Sequence, residues 1–523
     1  MRLQQIQSIR KGAELELTVA KLAFGGKALA QVDGFVVFIE HALPGQRVRV
    51  RIDRKKRQYA EARVMAVLEQ SPLYVEPFCP HFGVCGGCQW QDLPYDHQLH
   101  WKRQQVVEAL THLSGCKEGA AVVAETCAAP QTTFYRNKME YTFAARRWLL
   151  PQEIAAKETH YGKSFALGLH VRGAYNKVFN VEQCFLQSPQ SVAILKEVRE
   201  WCAQSGLRAY STEDHRGFWR FLVVREGKRT GQTLVHVLTA AHPEQEEIIG
   251  SLVHHLSGRF PDITTLVHSI TQKKAQVAVG DYSRVITGPG CIEERLEDLR
   301  FQISAHSFFQ TNPLAAEKMY EAIRRLGSFS GRETVWDLYC GTGSIALFVA
   351  RQVRRVVGFE VVAEAIEDAY KNCELNGIDN CAFYAGDLKE VLKDVRASAN
   401  DSRSPDVVIT DPPRAGMHPK VIQFLREAAP ATIIAVSCNP ATLARDLALL
   451  LDQYDIAAVQ PFDLFPHTPH IECVVKLERK AATRVRDYLK PKVSDLSYKS
   501  PSCRRKPASS GLSLFSGFRL ASE

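Results

Sequence analysis

Apolar and polar residues alternate along short runs in the first part of the chain, a pattern that predicts β-strands. Gly-Gly, Asp-Gly and Pro-Gly pairs separate these runs and mark tight turns. Short strands joined by tight turns are typical of a small β-barrel, which we assign to residues 1–72. The predicted strands of this barrel are residues 14–22, 35–39, 47–52 and 60–68.

The pattern becomes irregular from residue 73 to residue 300, where strand-like runs are mixed with two helical periods. This mixture predicts a central α+β domain. The predicted strands are residues 139–144, 166–171, 221–224, 233–238 and 266–270, and the predicted helices are residues 95–110 and 189–205.

Strands and helices alternate regularly from residue 301 to residue 480. Repeated strand–helix units predict a doubly wound, Rossmann-like parallel sheet whose ligand binds at the carboxyl ends of the strands. The predicted strands are residues 335–339, 355–359, 381–385, 406–410, 432–437 and 473–477, and the predicted helices are residues 345–351, 363–376, 419–429 and 441–454.

The composition fits a folded, multidomain α/β chain. Its 523 residues are 45% hydrophobic and 24% charged, which excludes a wholly disordered chain and allows about three domains. No apolar run approaches the roughly 18 residues of a membrane helix, and the first residues lack the apolar core of a secretory signal. We therefore expect a cytoplasmic monomer with no membrane partner.

The formal net charge of +9 is unevenly distributed, because basic residues outnumber acidic ones most strongly after Lys480. This last segment is also rich in Ser, Pro and Gly and has no lasting periodicity. We therefore predict a disordered basic tail at residues 481–523. Such a tail is either simply solvated or attracted to nucleic acid phosphates.

Three short segments mix basic residues with aromatic or polar ones, as RNA-binding surfaces do, although ordinary surface charge is the alternative. One lies in a basic hairpin of the predicted barrel, and two lie in the central domain. The segments are Arg51, Arg54, Lys55, Lys56 and Arg57 beside Tyr59, then Tyr135, Arg136, Asn137 and Lys138, and finally His170, Val171 and Arg172.

A strand that runs into a Gly-x-Gly turn and a helix indicates a cofactor site in the last domain. Gly341 and Gly343 allow the backbone to approach a ligand closely. Glu360 follows about 20 residues later, where a carboxylate can accept both hydroxyls of a ribose, and Asp387 can meet an adenine amino group. No long phosphate-binding loop is present, so the spacing fits S-adenosylmethionine better than a dinucleotide.

The sequence Asp411-Pro-Pro-Arg414 ends the fourth strand of this domain. Enzymes that methylate amino groups usually carry an aromatic residue after the two prolines, and Arg414 occupies that place. Asp411 can bond to the edge of a base. The missing aromatic argues against methylation of an exocyclic nitrogen.

Cys438 lies in the sequence Ser-Cys-Asn-Pro, between a predicted strand and a predicted helix. The partial positive charge of a helix N-terminus favours a thiolate, so we expect a lowered pKa for this thiol. Most free cysteines are small core residues instead, which suits Cys340, Cys373, Cys381 and Cys473. Cys438 lies at the cofactor rim and is therefore the candidate nucleophile.

Glu472 precedes the last predicted strand and has apolar neighbours on both sides. A carboxylate in such surroundings has a raised pKa and can act as a general base. An ordinary glutamate of an edge strand is an equally good interpretation.

A cysteine cluster opens the central domain, with Cys79, Cys85 and Cys88 inside ten residues. Cys184 is the candidate fourth ligand. Four thiolates suit either tetrahedral zinc or a [4Fe–4S] cluster, and the spacing leaves both open.

With these motifs the chain resembles the RNA uracil-C5 methyltransferase family, most closely the iron–sulfur branch that modifies 23S ribosomal RNA. The resemblance covers about residues 10–480. It is most specific in Cys-x5-Cys-Gly-Gly-Cys, Asp-Pro-Pro-Arg and Ser-Cys-Asn-Pro. It implies that the barrel is an RNA-binding TRAM domain and that S-adenosylmethionine is the methyl donor.

The resemblance also implies roles for individual residues. Cys438 would be the nucleophile and Glu472 the base, whereas Ser344 stands where several relatives carry Asn. The four cysteines would hold a [4Fe–4S] cluster that is structural or orients the RNA, because methyl transfer from a sulfonium needs no electrons. The cofactor and uracil sites would contain Gln310, Tyr339, Gly341, Gly343, Glu360, Asp387 and Asp411.

These expectations have two rivals. The first is the same chemistry on the T loop of tRNA, although enzymes of that type commonly lack the barrel and the cluster. The second is an RNA-binding assembly factor with an inactive Rossmann-like domain, against which the intact Cys438, Glu472, Glu360 and Asp411 argue.

Overall fold

Three β-sheets and one separate hairpin contain the strands of the computed structural model, which describes residues 9–116, 119–150, 153–154, 165–392 and 405–481. The predicted basic tail lies outside the described residues from residue 482 onward. The named α-helices are α1 (Tyr95–Ala109), α2 (Gly119–Val122), α3 (Pro189–Gln204), α4 (Gln245–Arg259), α5 (Pro313–Gly327), α6 (Ser344–Ala350), α7 (Ala363–Asn376), α8 (Pro419–Ala428) and α9 (Pro440–Ala448).

The first sheet has six strands in the order β1-β5-β6-β4-β3-β2. In one strand, Arg47–Lys55, apolar and basic residues alternate, and this alternation defines the inner face of the sheet. Val48, Val50 and Ile52 are buried, while the arginines between them point to solvent. The strands that sequence reasoning predicted are present, and the short, alanine-rich β3 was missed. The strands are β1 (Glu14–Thr18), β2 (Lys21–Leu22), β3 (Ala28–Val32), β4 (Phe35–Glu40), β5 (Arg47–Lys55) and β6 (Tyr59–Glu69).

The central sheet has seven strands in the order β13-β12-β11-β10-β7-β8-β9. Neighbouring strands are antiparallel except β11 and β12, which are parallel. The two edge strands, β9 and β13, and helix α4 were missed because their sequences are more polar than the buried strands between them. The strands are β7 (Lys138–Ala144), β8 (Ala166–Val171), β9 (Ala174–Asn180), β10 (Trp219–Glu226), β11 (Thr233–Thr239), β12 (Ile263–Ile270) and β13 (Tyr282–Thr287).

The last sheet has seven strands in the order β18-β17-β16-β19-β20-β22-β21. Its first five strands are parallel, as predicted, but β22 is antiparallel to both β20 and β21. The prediction of a wholly parallel sheet was therefore wrong at this edge, where β21 was not recognised as a strand. The strands are β16 (Thr334–Leu338), β17 (Arg355–Glu360), β18 (Cys381–Ala385), β19 (Val407–Thr410), β20 (Thr432–Ser437), β21 (Tyr454–Phe462) and β22 (Glu472–Arg479).

A hairpin of β14 (Cys291–Leu296) and β15 (Leu299–Ser304) lies across the predicted domain boundary at residue 300. Its inward residues, such as Ile292 and Phe301, share one hydrophobic core with helices α5 and α6 of the C-terminal domain. The predicted boundaries stay a prediction, but this shared core ties the hairpin to the domain that follows it.

A buried ion pair joins α1 to the loop that precedes Glu472. Lys102 Nζ lies 2.6 Å from Asp463 Oδ1, and both side chains have 0% exposure. The same ammonium group donates to the Phe465 carbonyl at 3.2 Å. Gln98, one turn earlier on α1, accepts from the backbone N–H of His467 at 2.9 Å. These contacts fix the loop that positions Glu472.

We expect Lys102→Met to destabilise the protein by about 3–5 kcal/mol, because it leaves the Asp463 carboxylate buried without a countercharge. Combining it with Asp463→Leu is expected to recover much of this loss. Urea unfolding measures both. The control is Lys21→Met, which breaks the half-exposed Lys21–Glu108 pair and should cost no more than about 1 kcal/mol. Equal losses in the two lysine variants would contradict the account.

Candidate active site

Cys438 and Glu472 come together because their strands are antiparallel neighbours. Ser437 of β20 pairs with Cys473 of β22, so the next position in the register sets Cys438 opposite Glu472. Cys438 is half-buried at the end of its strand. Asn439 caps helix α9 directly behind it, with Pro440 in the first turn. The thiol therefore lies just beyond the carboxyl end of β20 and the carboxyl group at the first residue of β22, and the Glu472 charge acts on the Cys438 thiol.

The surroundings of Cys438 raise the pKa of its thiol to about 11, chiefly through burial and then through the nearby Glu472 carboxylate. The prediction of a lowered pKa was therefore wrong for this state of the protein. The cap explains the weak effect of the helix: the Asn439 side chain itself accepts from the backbone N–H groups of Ala441 and Thr442. Those donors are no longer available to a thiolate.

Arg414 opposes the effect of the carboxylates, because its guanidinium lowers the pKa of the Cys438 thiol by charge and by a hydrogen bond. Its carbonyl accepts from Asn439 Nδ2 at 3.1 Å and from Thr442 Oγ1 at 3.2 Å. Its guanidinium also lies 3.3 Å from His470 Nδ1. A guanidinium has no acceptor, so this imidazole nitrogen must accept. From the sequence, Arg414 served only as an argument against methylation of an exocyclic nitrogen, and its hydrogen bond to the Cys438 thiol was missed.

Three buried carboxyl groups, those of Glu472, Asp411 and Asp337, act on one another electrostatically. Burial raises the pKa of Glu472 well above its ordinary value, and the charge of Asp411 adds to this. This direction confirms the sequence expectation. Burial also raises the pKa of Asp411 to about 6. Asp337, inside strand β16, is fully buried and its pKa is likewise raised well above the ordinary range. Asp337 was not singled out from the sequence, although an acidic residue inside a predicted buried strand is a signal that could have found it.

The glycine turn lies at the end of β16, and Tyr339, Gly341 and Gly343 all have left-handed backbone conformations there. Tyr339 has φ 69°, a left-handed conformation that is strained for a residue with a side chain. Gly343 has φ 79°, and a Cβ there would lie 2.9 Å from Leu347 Cδ1. Gly341 donates its N–H to Glu360 Oε2 at 3.1 Å. The carboxylate predicted to bind a ribose is therefore held against the glycine turn.

The remaining predicted cofactor residues are distributed around this turn. Asp387 is exposed after β18, and its pKa is lowered, mainly by a hydrogen bond from Lys389. The Ser344 hydroxyl lies 3.0 Å from the Tyr320 hydroxyl. Gln310 is buried, and its carbonyl accepts from Asn137 Nδ2 at 3.1 Å. Its neighbour Phe308 is 66% exposed beside the turn, a feature that sequence reasoning did not recognise.

The four predicted ligand cysteines line one cavity of about 480 Å³ in the central domain. The Gly87 N–H also donates to Cys85 Sγ at 3.4 Å. Within the described ranges, however, no group of three or more His, Cys, Asp and Glu side chains is arranged to hold a metal ion. The cavity therefore brings Cys79, Cys85, Cys88 and Cys184 together without confirming a metal centre.

Several predicted RNA contacts have structural partners instead. Tyr135 is 1% exposed and donates to the Pro466 carbonyl, so it cannot meet a large ligand. Asn137 is also buried and holds the Gln310 loop. Arg172 donates to Gln89 Oε1 at 2.8 Å and lies 3.2 Å from His41 Nδ1, which joins the barrel to the cysteine segment.

The raised pKa of Cys438 gives a direct prediction for its reactivity. Alkylation by iodoacetamide in the absence of ligands should rise about tenfold per pH unit and level off only near pH 11, because the thiolate is the reacting form. Arg414→Ala should shift the profile to higher pH. Arg426→Ala, which removes an exposed arginine paired with Asp452, is the matched control. Peptide mass spectrometry measures the rate, and a plateau below pH 9 would contradict the assignment.

Two profiles of known families match the chain. That of the tRNA (uracil-5-)-methyltransferases matches residues 273–480, and that of the TRAM domain matches residues 10–65. The first covers the C-terminal sheet with the glycine turn, Cys438 and Glu472. The second covers most of the N-terminal barrel.

Full-length relatives carry similar descriptions. An uncharacterized RNA methyltransferase of Nitratidesulfovibrio vulgaris is 41% identical over 475 residues, which cover 91% of this chain and 98% of the relative. One of Bacteroides thetaiotaomicron is 42% identical over 459 residues, covering 87% and 100%. The solved tRNA (uracil-54, C5)-methyltransferase of Pyrococcus abyssi, in complex with S-adenosyl-L-homocysteine, has a TM-score of 0.68 and 27% identity, covering 88% of this chain and 100% of its own.

Among the residues that the structure describes, no helix is both long and apolar enough to cross a membrane.

Proposed function

The chain belongs to the RNA uracil-5 methyltransferase family and is an RNA methyltransferase; on this premise we propose that it methylates C5 of a uridine in 23S ribosomal RNA, in the cytoplasm. The observation that carries the proposal is the register that sets Cys438 opposite Glu472. A nucleophile and a base on either side of a pyrimidine ring are the two groups that methylation at C5 needs.

Cys438 acts first in the proposed mechanism. Uracil C5 is a poor nucleophile until its C5–C6 double bond is broken, so the Cys438 thiolate adds to C6 and the π electrons move toward C5 and the C4 carbonyl. Arg414 stabilises the thiolate by its contact with the sulfur. S-adenosylmethionine supplies an electrophilic methyl group on a sulfonium. The uracil C5 takes this methyl group and becomes tetrahedral, while the bond between the methyl group and the sulfonium breaks, its electron pair stays on sulfur, and S-adenosyl-L-homocysteine is the leaving group.

Glu472 completes the reaction. Its carboxylate removes the C5 proton, the electrons of that bond restore the C5–C6 double bond, and the C6–sulfur bond breaks to release the Cys438 thiolate. A raised pKa makes the ionised carboxylate a stronger base. Because the Glu472 carboxyl group is buried, the proton that it takes from C5 is also shielded from bulk water during this step.

Other residues orient the two ligands in this proposal. The cofactor is held at the glycine turn by Glu360, Asp387, Tyr339, Gly341, Gly343 and Ser344. On the side of the uracil base lie Gln310 and Asp411. A paired base hides its C5 within the stack, so the target uridine is unpaired or is flipped out of the helix. The exposed Phe308 ring, beside the glycine turn, provides a surface on which a flipped base can stack.

A uridine of tRNA is the second candidate target, because the match to the solved tRNA enzyme covers 88% of this chain and all of that enzyme. The presence of an N-terminal barrel therefore does not distinguish an enzyme that modifies 23S rRNA from one that modifies tRNA. Mass mapping of 5-methyluridine in rRNA and tRNA from a deletion strain distinguishes them. Loss of one 23S rRNA modification supports the proposal, loss from tRNA alone moves the activity to tRNA, and unchanged 5-methyluridine in both rejects it.

We further propose that Cys79, Cys85, Cys88 and Cys184 hold a [4Fe–4S] cluster. The support is the cavity that all four line. A mononuclear ion requires thiolates that converge on one point, whereas a cubane fills the space between thiolates that stand apart. The N–H donor to Cys85 Sγ is of the kind that stabilises cluster thiolates. When bound, the cluster supplies a rigid support for the segment 79–88.

The cluster proposal predicts that anaerobically purified protein is brown and contains about four iron and four sulfide per chain. Cys184→Ser should lower both values strongly. Cys202→Ser is the matched control, because Cys202 lies in the core of the same domain and away from the cavity lining. A colourless, zinc-containing and fully active enzyme would contradict the proposal.

A further inference from the structure

A groove on the central domain lies outside the machinery described above. It is formed where β7, β8 and β9 meet the segment after α3, and it has a volume of about 590 Å³. We call it the β9 groove, since the edge strand β9 forms one wall. The residues that matter for what it binds are Arg146, Trp148, Tyr175, Lys177, Arg208 and His170.

Two aromatic rings are presented to solvent in the β9 groove. Tyr175 is 64% exposed and Trp148 is 37% exposed. The backbone at Trp148 is held against β9, because its N–H donates to the Val178 carbonyl at 2.8 Å. Exposed rings keep apolar surface in water, and they are the usual platforms on which unpaired bases stack.

Three cations line the same groove, and one of them lies over the Trp148 ring. Lys177 Nζ lies 4.0 Å from the centroid of the Trp148 ring. Arg146 lies 3.7 Å from Glu213, and Arg208 lies 2.8 Å from Asp214, with all four of these side chains at least 42% exposed. Exposed ion pairs contribute little to stability, so either guanidinium can exchange its carboxylate for a phosphate at small cost. The alternation of rings and cations suits a polyanion with flat bases.

The β9 groove is also connected to the candidate active site. His170 lines both this groove and the cysteine cavity. The cysteine cavity is also lined by Ser307, Phe308 and Thr311, which lie on the same loop as Gln310. The β9 groove therefore adjoins the cysteine cavity, and that cavity borders the loop that carries Gln310.

We propose that the β9 groove binds an unpaired segment of the substrate RNA beside the target uridine, with bases stacked on Tyr175 and Trp148 and phosphates at Lys177, Arg146 and Arg208. This inference rests on the proposed function and deepens it, because it adds a second contact region for the same RNA. It requires single-stranded nucleotides next to the modified position.

The test compares two tyrosines of equal exposure on opposite edges of one sheet. Tyr175 lies on β9, and Tyr282, 63% exposed, lies on the far edge strand β13. Binding of a fluorescein-labelled oligouridylate of 12 nucleotides is measured by anisotropy. Tyr175→Ala should weaken it about tenfold, as expected for one lost stacking contact. Tyr175→Phe should retain it, and Tyr282→Ala should leave it unchanged. Equal binding by Tyr175→Ala and wild type, or equal losses in both alanine variants, would overturn the proposal.

A second measurement needs no variant. The same oligomer with 4-thiouridine is photo-crosslinked to the wild-type protein, and the crosslinks should map to peptides containing Trp148 or Tyr175. Crosslinks confined to other peptides would overturn the proposal. In parallel, the wild-type protein is given labelled S-adenosylmethionine and RNA from the deletion strain, and incorporation of the methyl group is measured. No incorporation would reject the proposed function. Incorporation without crosslinks to Trp148 or Tyr175 would reject only the proposed RNA binding in the β9 groove.

Discussion

Replacing Cys438 with alanine is expected to lower kcat by about 10⁴-fold or more, because without the addition to C6 the uracil C5 never becomes nucleophilic. Cys438→Ser should be almost as inactive, since a serine hydroxyl is far less acidic than a thiol and is scarcely ionised near neutral pH. Binding of S-adenosylmethionine should change little, because the glycine turn and Glu360 are untouched. Incorporation of labelled methyl and calorimetric titration of the cofactor measure the two effects.

Cys116→Ser is the matched control for this loss. Cys116 is another half-buried cysteine, at the far end of the helical segment that continues α1. Its replacement should leave methyl transfer intact. Substantial turnover by Cys438→Ala would remove the covalent mechanism, even though the family assignment would stand.

Replacing Glu472 with glutamine is expected to trap the reaction after methyl transfer. The amide cannot accept the C5 proton, so the C5–C6 double bond cannot reform and Cys438 cannot leave. A methylated RNA–protein adduct should therefore accumulate to about one per enzyme, while turnover falls by about 10³-fold or more. A denaturing gel with labelled RNA measures the adduct.

Glu478→Gln controls for this substitution on the same strand. Glu478 is an exposed residue of β22 that pairs with Lys476, and its replacement should give normal turnover and no adduct. Normal turnover by Glu472→Gln would reject its role as the base. Loss of activity with no adduct would assign Glu472 to an earlier step.

The sequence predicts the architecture of the last domain well because its strands are buried between helices and therefore read as continuous apolar runs. Three of the edge strands are different. Strands β9, β13 and β21 mix polar and apolar residues, since one side of each meets solvent, and all three were missed. The antiparallel direction of β22 was missed for the same reason, because without β21 the chain appears to need one more helical crossover.

The part of the candidate site that directly follows the ends of strands could be predicted from the sequence. The sequence indicates that Cys438, Asp411 and Glu360 follow predicted strands, and parallel strands bring their carboxyl ends to one edge of a sheet. Contacts between side chains of different loops are not encoded locally. Arg414 therefore could not be assigned to the Cys438 sulfur, and the capping of α9 by Asn439, which leaves the thiol pKa high, could not be weighed against the helix dipole.

The central claim is that Cys438 adds to uracil C6 during methylation at C5, and trapping with 5-fluorouridine tests it most directly. Fluorine at C5 cannot be removed as a proton, so the wild-type enzyme, given S-adenosylmethionine and RNA that contains 5-fluorouridine at its target, should stop as a covalent adduct. Mass spectrometry of the digested adduct should find one methylated fluorouridine on the peptide that contains Cys438. The absence of any adduct, or an adduct on another cysteine such as Cys340, would contradict the mechanism.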